Sequence, residues 1–392
     1  MERRGSAAGE PRKSNRVPGC CRESCGHYTA RMNSIDDEAM LAEDGASKDT
    51  PSFALHPYTS LTPERVLDAL EQVGYRCDGR LLALNSYENR VYMVGLDDGG
   101  QSGAQCVVKF YRPGRWSDRQ ILEEHRFVDQ LVASEIPVVP ALIDQSGTSL
   151  HRDGEFRFAV FERRGGRAPE LESRSTREWL GRFIGRIHAV GSTAAFVHRP
   201  AVDIESFGFE PRRWIAEHRI VPAPLDAVWT SVVDQALIAV AACEARAGAS
   251  KMIRLHGDCH PGNILWTEGG GAHGVTPPGG PHFVDFDDSR SGPALQDLWM
   301  LLSGTREEMT RQLDDLLNGY RQFREFDARE LHRLEALRTL RMIHYSAWLA
   351  RRWDDPAFPA AFPFFGTQRY WQDQILALRE QVAAMDEPPL AP

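Results

Sequence analysis

The sequence predicts an α+β chain in two lobes, a small strand-rich one followed by a larger, mainly helical one. Three observations carry this. Short apolar runs with strand character cluster early, at 80–84, 90–96, 104–111 and 156–161. Apolar stripes with helical spacing fill the later two thirds. Between them stands Gly165-Gly166, preceded by the charged run Glu162-Arg163-Arg164, which reads as the joint. Residues 53–162 are then the first lobe, 163–392 the second, and 1–52 a disordered tail.

The tail is basic over its first 31 residues, acidic from Asp36 to Asp49, and poor in large apolar side chains. Thr62-Pro63-Glu64 opens a helix with Val66, Leu67, Leu70 and Val73 on its apolar side, and Gly74 ends it. Strands follow at Arg80–Leu84 and Arg90–Leu96, then a turn at Asp97–Gly100 and a third strand at Ala104–Tyr111. Ser117–Ala133 is a helix with Ile121, Leu122, Val128, Leu131 and Val132 inward. Phe156–Phe161 is the last strand before the joint. Beyond it the spacing predicts helices over Thr176–Val190, 225–246, Ala294–Leu302, Arg306–Gln322, Glu330–Arg352 and Gln368–Ala383. Trp179, Phe183 and Ile187 are expected in the core. A low-complexity insert, Glu268–Pro281, separates the short runs Asn263–Trp266 and His282–Phe286, which suit a hairpin.

Composition narrows the function. Lys plus Arg is 46 and Asp plus Glu is 55, giving −9 at pH 7, which argues against general nucleic-acid coating. No apolar stretch is expected to reach membrane-span length, and the tail has no apolar segment of an export signal, so the cytosol is the expected compartment. Seven cysteines, an odd number, give no disulfide framework. Cys20, Cys21 and Cys25 lack a fourth ligand at finger spacing and read as incidental thiols. Only four of the 46 basic residues are lysines: Lys13, Lys48, Lys109 and Lys251. A lysine inside an apolar strand, Lys109, therefore stands out, because Arg does not replace Lys where a compact point charge is needed.

The chemistry concentrates in Leu255-His256-Gly257-Asp258-Cys259-His260-Pro261-Gly262-Asn263 and in Val284-Asp285-Phe286-Asp287-Asp288. The proposed hairpin presents Asn263 and Asp285 side by side. One amide and one carboxylate oxygen suit Mg²⁺ when its other ligands are phosphates and water. Asp258 can accept a proton from an attacking hydroxyl. Lys109 supplies a point charge for phosphate oxygens, and either Glu123 or Glu124 can hold it. His256 reads as a loop brace rather than a catalytic group, and His260 is a poor match for an oxygen-loving cation. Asp287 either assists Asp285 or is solvated. Asp297 either caps its helix or braces the catalytic loop.

These elements resemble the protein-kinase set, with His-Gly-Asp in place of H-R-D and a double-Asp segment in place of D-F-G. Together with Leu84–Tyr92, Lys109–Trp116, Ile121–His125 and Gly292–Met300, they resemble the bacterial stress response kinase A family, within the aminoglycoside-phosphotransferase and choline-kinase branch. The resemblance spans roughly residues 52–385. It implies a bilobal protein-kinase-like fold and an ATP- and Mg²⁺-dependent kinase of protein Ser/Thr acting in stress response. It also implies roles: Asp258 as proton acceptor, Asn263 and Asp285 as metal ligands, Ser86 in the nucleotide loop, and Lys109 paired to Glu124. The expected partners are ATP and a protein, or else a small hydroxyl acceptor, with no nucleic acid and no membrane; a monomer is expected. A sugar, homoserine or amino-alcohol kinase is the alternative, and a nucleotide-binding scaffold the more distant one.

For the acceptor, Arg341, Tyr345, Trp348 and Arg352 fall on one helix face, with Arg338 beside them. They read either as solvated arginines or as a wall of the acceptor cleft. Arginines there favour a neutral or acidic acceptor over a cation.

Overall fold

The computed structural model describes residues 56–97, 103–267 and 279–392. The expected tail, most of the turn at 97–100 and most of the insert at 268–281 lie outside the described residues.

Helix α1 (Pro63–Gln72) starts where Thr62 accepts a hydrogen bond from the Arg65 N–H at 3.3 Å, with Pro63 in the first turn. It buries Val66, Ala69 and Leu70 against a five-stranded sheet. The strands are β1 (Cys77–Ala83), β2 (Arg90–Leu96), β3 (Gln105–Tyr111), β4 (His151–Asp153) and β5 (Phe156–Glu162). Their order is β1-β2-β3-β5-β4, with every neighbouring pair antiparallel. The three-residue β4 is too short to leave a periodic signal. Strand alternation then divides β3. Cys106, Val108 and Phe110 join the α1 cluster, so Val107 and Lys109 face the other side, where α2 (Asp118–Ala133) and the second lobe lie. A reciprocal cap between Ser117 and Gln120 fixes the start of α2.

The second lobe holds α3 (Arg174–Gly191), a π-helical turn running into α4 (Glu210–Glu217), and α5 (Ala223–Ala247). After these come the short strands β6 (Ile253–Arg254), β7 (Ile264–Thr267), β8 (Gly280–Phe283) and β9 (Ser291–Gly292). Helices α6 (Leu295–Trp299), α7 (Arg306–Tyr320), α8 (Leu334–Arg351), α9 (Ala357–Ala361) and α10 (Gln368–Met385) complete it. Backbones of α3 and α7 touch: a Cβ on Gly181 would lie 1.9 Å from the Leu316 carbonyl oxygen, and one on Gly319 2.0 Å from that of Glu178. Phe127 and Leu131 of α2 share the core formed there, which ties the lobes together.

Four expectations change. The helix expected over 330–352 begins as a 3₁₀ segment, Ala328–Arg333, with α8 following. The strand expected to run to Phe286 ends at Phe283, and Phe286–Asp288 form a 3₁₀ turn, so strand alternation does not govern Asp285 and Asp287. Trp179 is 39% exposed and packs on Trp266 with ring centroids 5.9 Å apart, whereas Ile187 is in the core. Finally, α5, 25 residues long, does reach membrane-span length and apolar composition. Trp229, Val233, Ala236 and Val240 of that helix are buried in a cluster with α8 and α10.

Candidate active site

β6 delivers the chain into His256-Gly257-Asp258. Gly257 has φ +89°, and a Cβ there would lie 2.1 Å from the carbonyl oxygen of Asp288. A side chain would therefore displace the Asp287-Asp288 turn, which explains glycine between His256 and Asp258. Asp297 on α6 braces this loop. It is 1% exposed, and its two oxygens accept from the N–H groups of His256 and Gly257, each at 2.8 Å. His188 Nε2 lies 3.0 Å from the same carboxylate, and its Nδ1 lies 3.0 Å from the Tyr320 hydroxyl. Burial lowers the His188 pKa, so the ring is neutral at pH 7, with Nε2–H donating to Asp297 and Nδ1 accepting. Of the two readings of Asp297, loop bracing is the one formed. His256 packs on Phe286 and bonds the Val284 carbonyl through Nε2 at 2.9 Å, the structural role expected. His260 Nδ1 accepts from the Gly262 N–H at 3.1 Å and so caps the following 3₁₀ turn.

The hairpin forms as expected. β7 and β8 pair antiparallel, and the Val284 N–H donates to the Asn263 carbonyl at 3.0 Å, which brings Asn263 beside Asp285. Asn263 Nδ2 donates to the Asp258 carbonyl at 3.0 Å and leaves its amide oxygen available. Asp285 has φ +57° and ψ +62°, an unusual conformation for a non-glycine residue, and its side chain is 49% exposed. A cavity of about 370 Å³ between the lobes is lined by Ser86, Lys109, Glu124, Asn263 and Asp285, with Val91, Val107, Ala141, Phe161 and Val284 as apolar walls. Five of the six predicted site residues thus meet in one cavity, and Asn263 links the sixth, Asp258, to its edge.

The predicted Lys109–Glu124 pair is not formed. Lys109 Nζ lies 2.5 Å from Asp285 and 3.7 Å from Asp287, while Glu124 pairs with Arg199 at 3.0 Å. Arg199 reaches Glu124 from the segment after α3, and Asp285 stands nearer the lysine. Glu123, the other candidate, accepts from the N–H groups of Val197, His198 and Arg199 and is excluded as the lysine's partner. Burial lowers the Lys109 pKa, yet Asp285, Asp287 and Glu124 outweigh it and raise the pKa, so the lysine stays charged. Burial also pushes Glu124 up to about 7, against the pull of Arg199 and Lys109.

Asp287 is not solvated. It is 2% exposed, accepts from Asn89 Nδ2 at 3.1 Å and pairs with Arg115. Burial raises its pKa, but Lys109 and Arg115 lower it more, leaving a carboxylate. Asn89 also accepts from the Arg112 N–H at 3.1 Å, so it pins the loop carrying Ser86 to the end of β3. Sequence reasoning missed Asn89, Arg115 and Arg199; the first two lie inside segments that carried the resemblance.

The face of α8 does not stand in water. Arg352 pairs with Glu88 at 2.6 Å and Trp348 Nε1 donates to the same carboxylate at 2.5 Å, so α8 clamps the loop between β1 and β2. Just beyond α8, Asp355, 2% exposed, pairs with Arg90 at 2.8 Å and Arg112 at 2.6 Å. Arg341 lies 2.7 Å from Asp258. Burial raises the Asp258 pKa, but Arg341 and His260 outweigh it and lower it, so this group is a carboxylate at pH 7.

The sequence profile of the phosphotransferase enzyme family matches residues 80–337. Stress response kinase A of Escherichia coli O157:H7 is 43% identical over 333 residues, 85% of this chain and 96% of that protein. The chain belongs to the stress response kinase A family. A second relative, from Salmonella typhimurium and named serine/threonine protein kinase RdoA, is 42% identical over the same share of both chains. Among solved structures, the amicoumacin kinase hAmiN in complex with AMP-PNP, Ca²⁺ and Ami is similar with a TM-score of 0.63 at 18% identity, covering 84% of this chain and 95% of that one. A microcompartment-associated aminopropanol kinase gives 0.58 at 19%, covering 82% and 96%. At such identities the likeness is one of fold, the bilobal kinase-like fold.

Residues of this stress response kinase A family member suit a magnesium nucleotide. Asp285 and the Asn263 amide supply hard oxygen donors, and Lys109 is a charged donor facing the same cavity. Among the described residues Asp287 Oδ1 is buried without a hydrogen-bond partner, 3.7 Å from Lys109 Nζ, a further oxygen that a cation would satisfy.

Proposed function

We propose that the protein transfers the γ-phosphoryl group of ATP, with Mg²⁺, to the hydroxyl of a protein Ser or Thr, and does so in the cytosol as part of a stress response. The observation that carries the chemistry is the meeting of Ser86, Lys109, Asn263 and Asp285 around one cavity, with Asp258 fixed at its edge. The choice of a protein hydroxyl rests on the relative named as a serine/threonine protein kinase.

The apolar walls at Val91, Val107, Ala141 and Phe161 would take the adenine, and Lys109 would engage phosphate oxygens. Asn263 and Asp285 would hold the cation, which would neutralise charge on the phosphates. An acceptor oxygen bonds to γ-phosphorus, the bond from phosphorus to the bridging oxygen breaks, ADP leaves, and the hydroxyl proton passes to Asp258. A carboxylate with a lowered pKa is a weak base, so its larger task is to orient the hydroxyl; a loose phosphoryl transition state asks mostly for positioning. Lys109 then exchanges part of its contact with Asp285 for phosphate. Glu124, joined to Arg199, adds a negative charge that helps keep the lysine protonated without pairing with it.

The test is transfer from γ-labelled ATP to a Ser/Thr peptide library, run beside homoserine, amino alcohols and sugars. Label on peptide Ser or Thr is expected. Label on a metabolite alone would contradict the protein acceptor and favour the small-molecule reading.

A further inference from the structure

We propose that Arg341 reads a negative charge next to the acceptor hydroxyl, so that the enzyme prefers a Ser or Thr with an acidic group beside it. This deepens the protein-kinase reading and rests on it.

The arginines on the acceptor side differ in what already occupies them. Arg352 is spent on Glu88 and on the Trp348 carbonyl. Arg338 is tied to Glu335 and is buried. Arg115 bridges Asp287 and Asp288, the latter at 2.7 Å. Arg290 sits over the rings of Trp116 and Phe207, with Asp288 at 3.4 Å. Arg341 differs. It makes one hydrogen bond among the described residues, from Nη1 to Asp258 Oδ1 at 2.7 Å, and its side chain is 29% exposed. Its Nε and Nη2 therefore have no partner among those residues, on a guanidinium fixed to the carboxylate that receives the acceptor.

A guanidinium offers donors along more than one edge of a rigid plane. With one nitrogen on Asp258, the remaining donors can take a carboxylate or phosphate of the acceptor. That contact sets the acceptor's hydroxyl next to the second Asp258 oxygen. Asp288, a second carboxylate whose charge acts on Arg341, already pairs with Arg115 and Arg290, which weakens its repulsion of an incoming anion. A basic acceptor would meet Arg341 with like charge, which disfavours it. The shared chemistry is an anion within reach of the hydroxyl; in a protein its source is Asp, Glu or a phosphorylated neighbour.

The test compares kcat/KM for paired peptides that differ only in an acidic against a neutral residue flanking the Ser, with a third peptide carrying phosphoserine there. Wild type is expected to prefer the anionic peptides by about tenfold, the effect of one charge-assisted contact in a partly exposed site. Arg341→Gln should lower turnover on all peptides, because Asp258 loses its partner. The diagnostic is the ratio: it should collapse to near one, with the loss of preference in KM, and Arg341→Lys should restore part of it. A wild-type ratio near one overturns the inference. So does a preference that survives Arg341→Gln unchanged, since Arg341 would then act only through Asp258. If peptides accept nothing and metabolites do, the protein reading is what fails. The same ratio is then read on hydroxy acids against their neutral amides, and a ratio near one there overturns the role of Arg341. Transfer to neither class would overturn both.

Discussion

Replacing Asp297 by Asn keeps the shape of the side chain and removes the charge that holds the catalytic loop. In the wild type three donors converge on this carboxylate: the N–H groups of His256 and Gly257 at 2.8 Å and His188 Nε2 at 3.0 Å. An asparagine has one acceptor oxygen, so its NH₂ must face at least one of these donors. One buried charge-assisted bond is lost and one donor is left facing another. Such changes cost about 2–4 kcal/mol. For a lobe of this size that lowers the melting temperature by on the order of 5–10 °C. Asp258 follows Gly257 directly, so its carboxylate moves with the loop, and misplacement by about 1 Å costs on the order of 100-fold in turnover. Thermal melts followed by circular dichroism and single-turnover transfer measure the two effects. Turnover should fall more steeply than the KM for ATP rises, because Lys109 stands on β3, while the loop reaches Asp285 only through the bonds from His256 to Val284 and from Val284 to Asn263. A variant that melts within about 2 °C of wild type and turns over within about threefold would refute the brace, returning Asp297 to a helix-end carboxylate.

Two further outcomes are expected. Lys109→Arg puts a wide planar cation where Asp285 and Asp287 crowd a compact ammonium. Transfer should fall by about 2–4 kcal/mol in the barrier, at least about 30-fold, with the melting temperature little changed; turnover within about threefold of wild type would leave Lys109 a packing residue. Burial holds His344 at about 3, against 6.5 when exposed, with Arg290 and Arg341 adding to the effect. A base with a lowered folded pKa stabilises the fold above its unfolded pKa and loses that contribution as pH falls. Wild type should lose about 2 kcal/mol from this residue between pH 7 and pH 5. The stability gap between wild type and His344→Asn should narrow by that amount over the same range in denaturant titrations; a gap constant with pH would contradict the neutral, half-buried ring.

Much of the site was legible because its residues lie in two short segments of fixed spacing. His256 through Asn263 and Val284 through Asp285 must lie together once Asn263–Trp266 and His282–Phe286 are read as a hairpin. Lys109 was legible by contrast, a lone strand lysine in a chain of arginines. What failed to show was anything set by side-chain reach across long separations. Glu124 was expected to pair with Lys109; it lies on the cavity wall, but its partner, Arg199, is 75 residues away in a segment with no periodic signal. The left-handed turn at Asp285 ended a strand that alternation would have carried on to Phe286. Trp179 obeys helical spacing with Phe183 and Ile187, yet it packs at a tilt against the hairpin's Trp266 at the surface, a contact spacing cannot distinguish from a core. Asp355 and Glu88, which join the lobes through Arg90, Arg112 and Arg352, carry no local signature. Their role exists only after the fold brings α8 to the loop before β2.

The central claim is a division of labour between two carboxylates: Asp285 holds the metal nucleotide, and Asp258 orients the acceptor. Calorimetric titration of Mg·ATP into Asp258→Asn and Asp285→Asn, with transfer assayed on the same preparations, tests it most directly. Both variants should be inactive. Asp258→Asn should bind Mg·ATP as wild type does, because its carboxylate lies beyond the cavity and faces Arg341. Asp285→Asn should bind at least about tenfold more weakly, because it removes a charged metal ligand. Equal loss of nucleotide affinity in the two variants, or full affinity in both, would contradict the assignment.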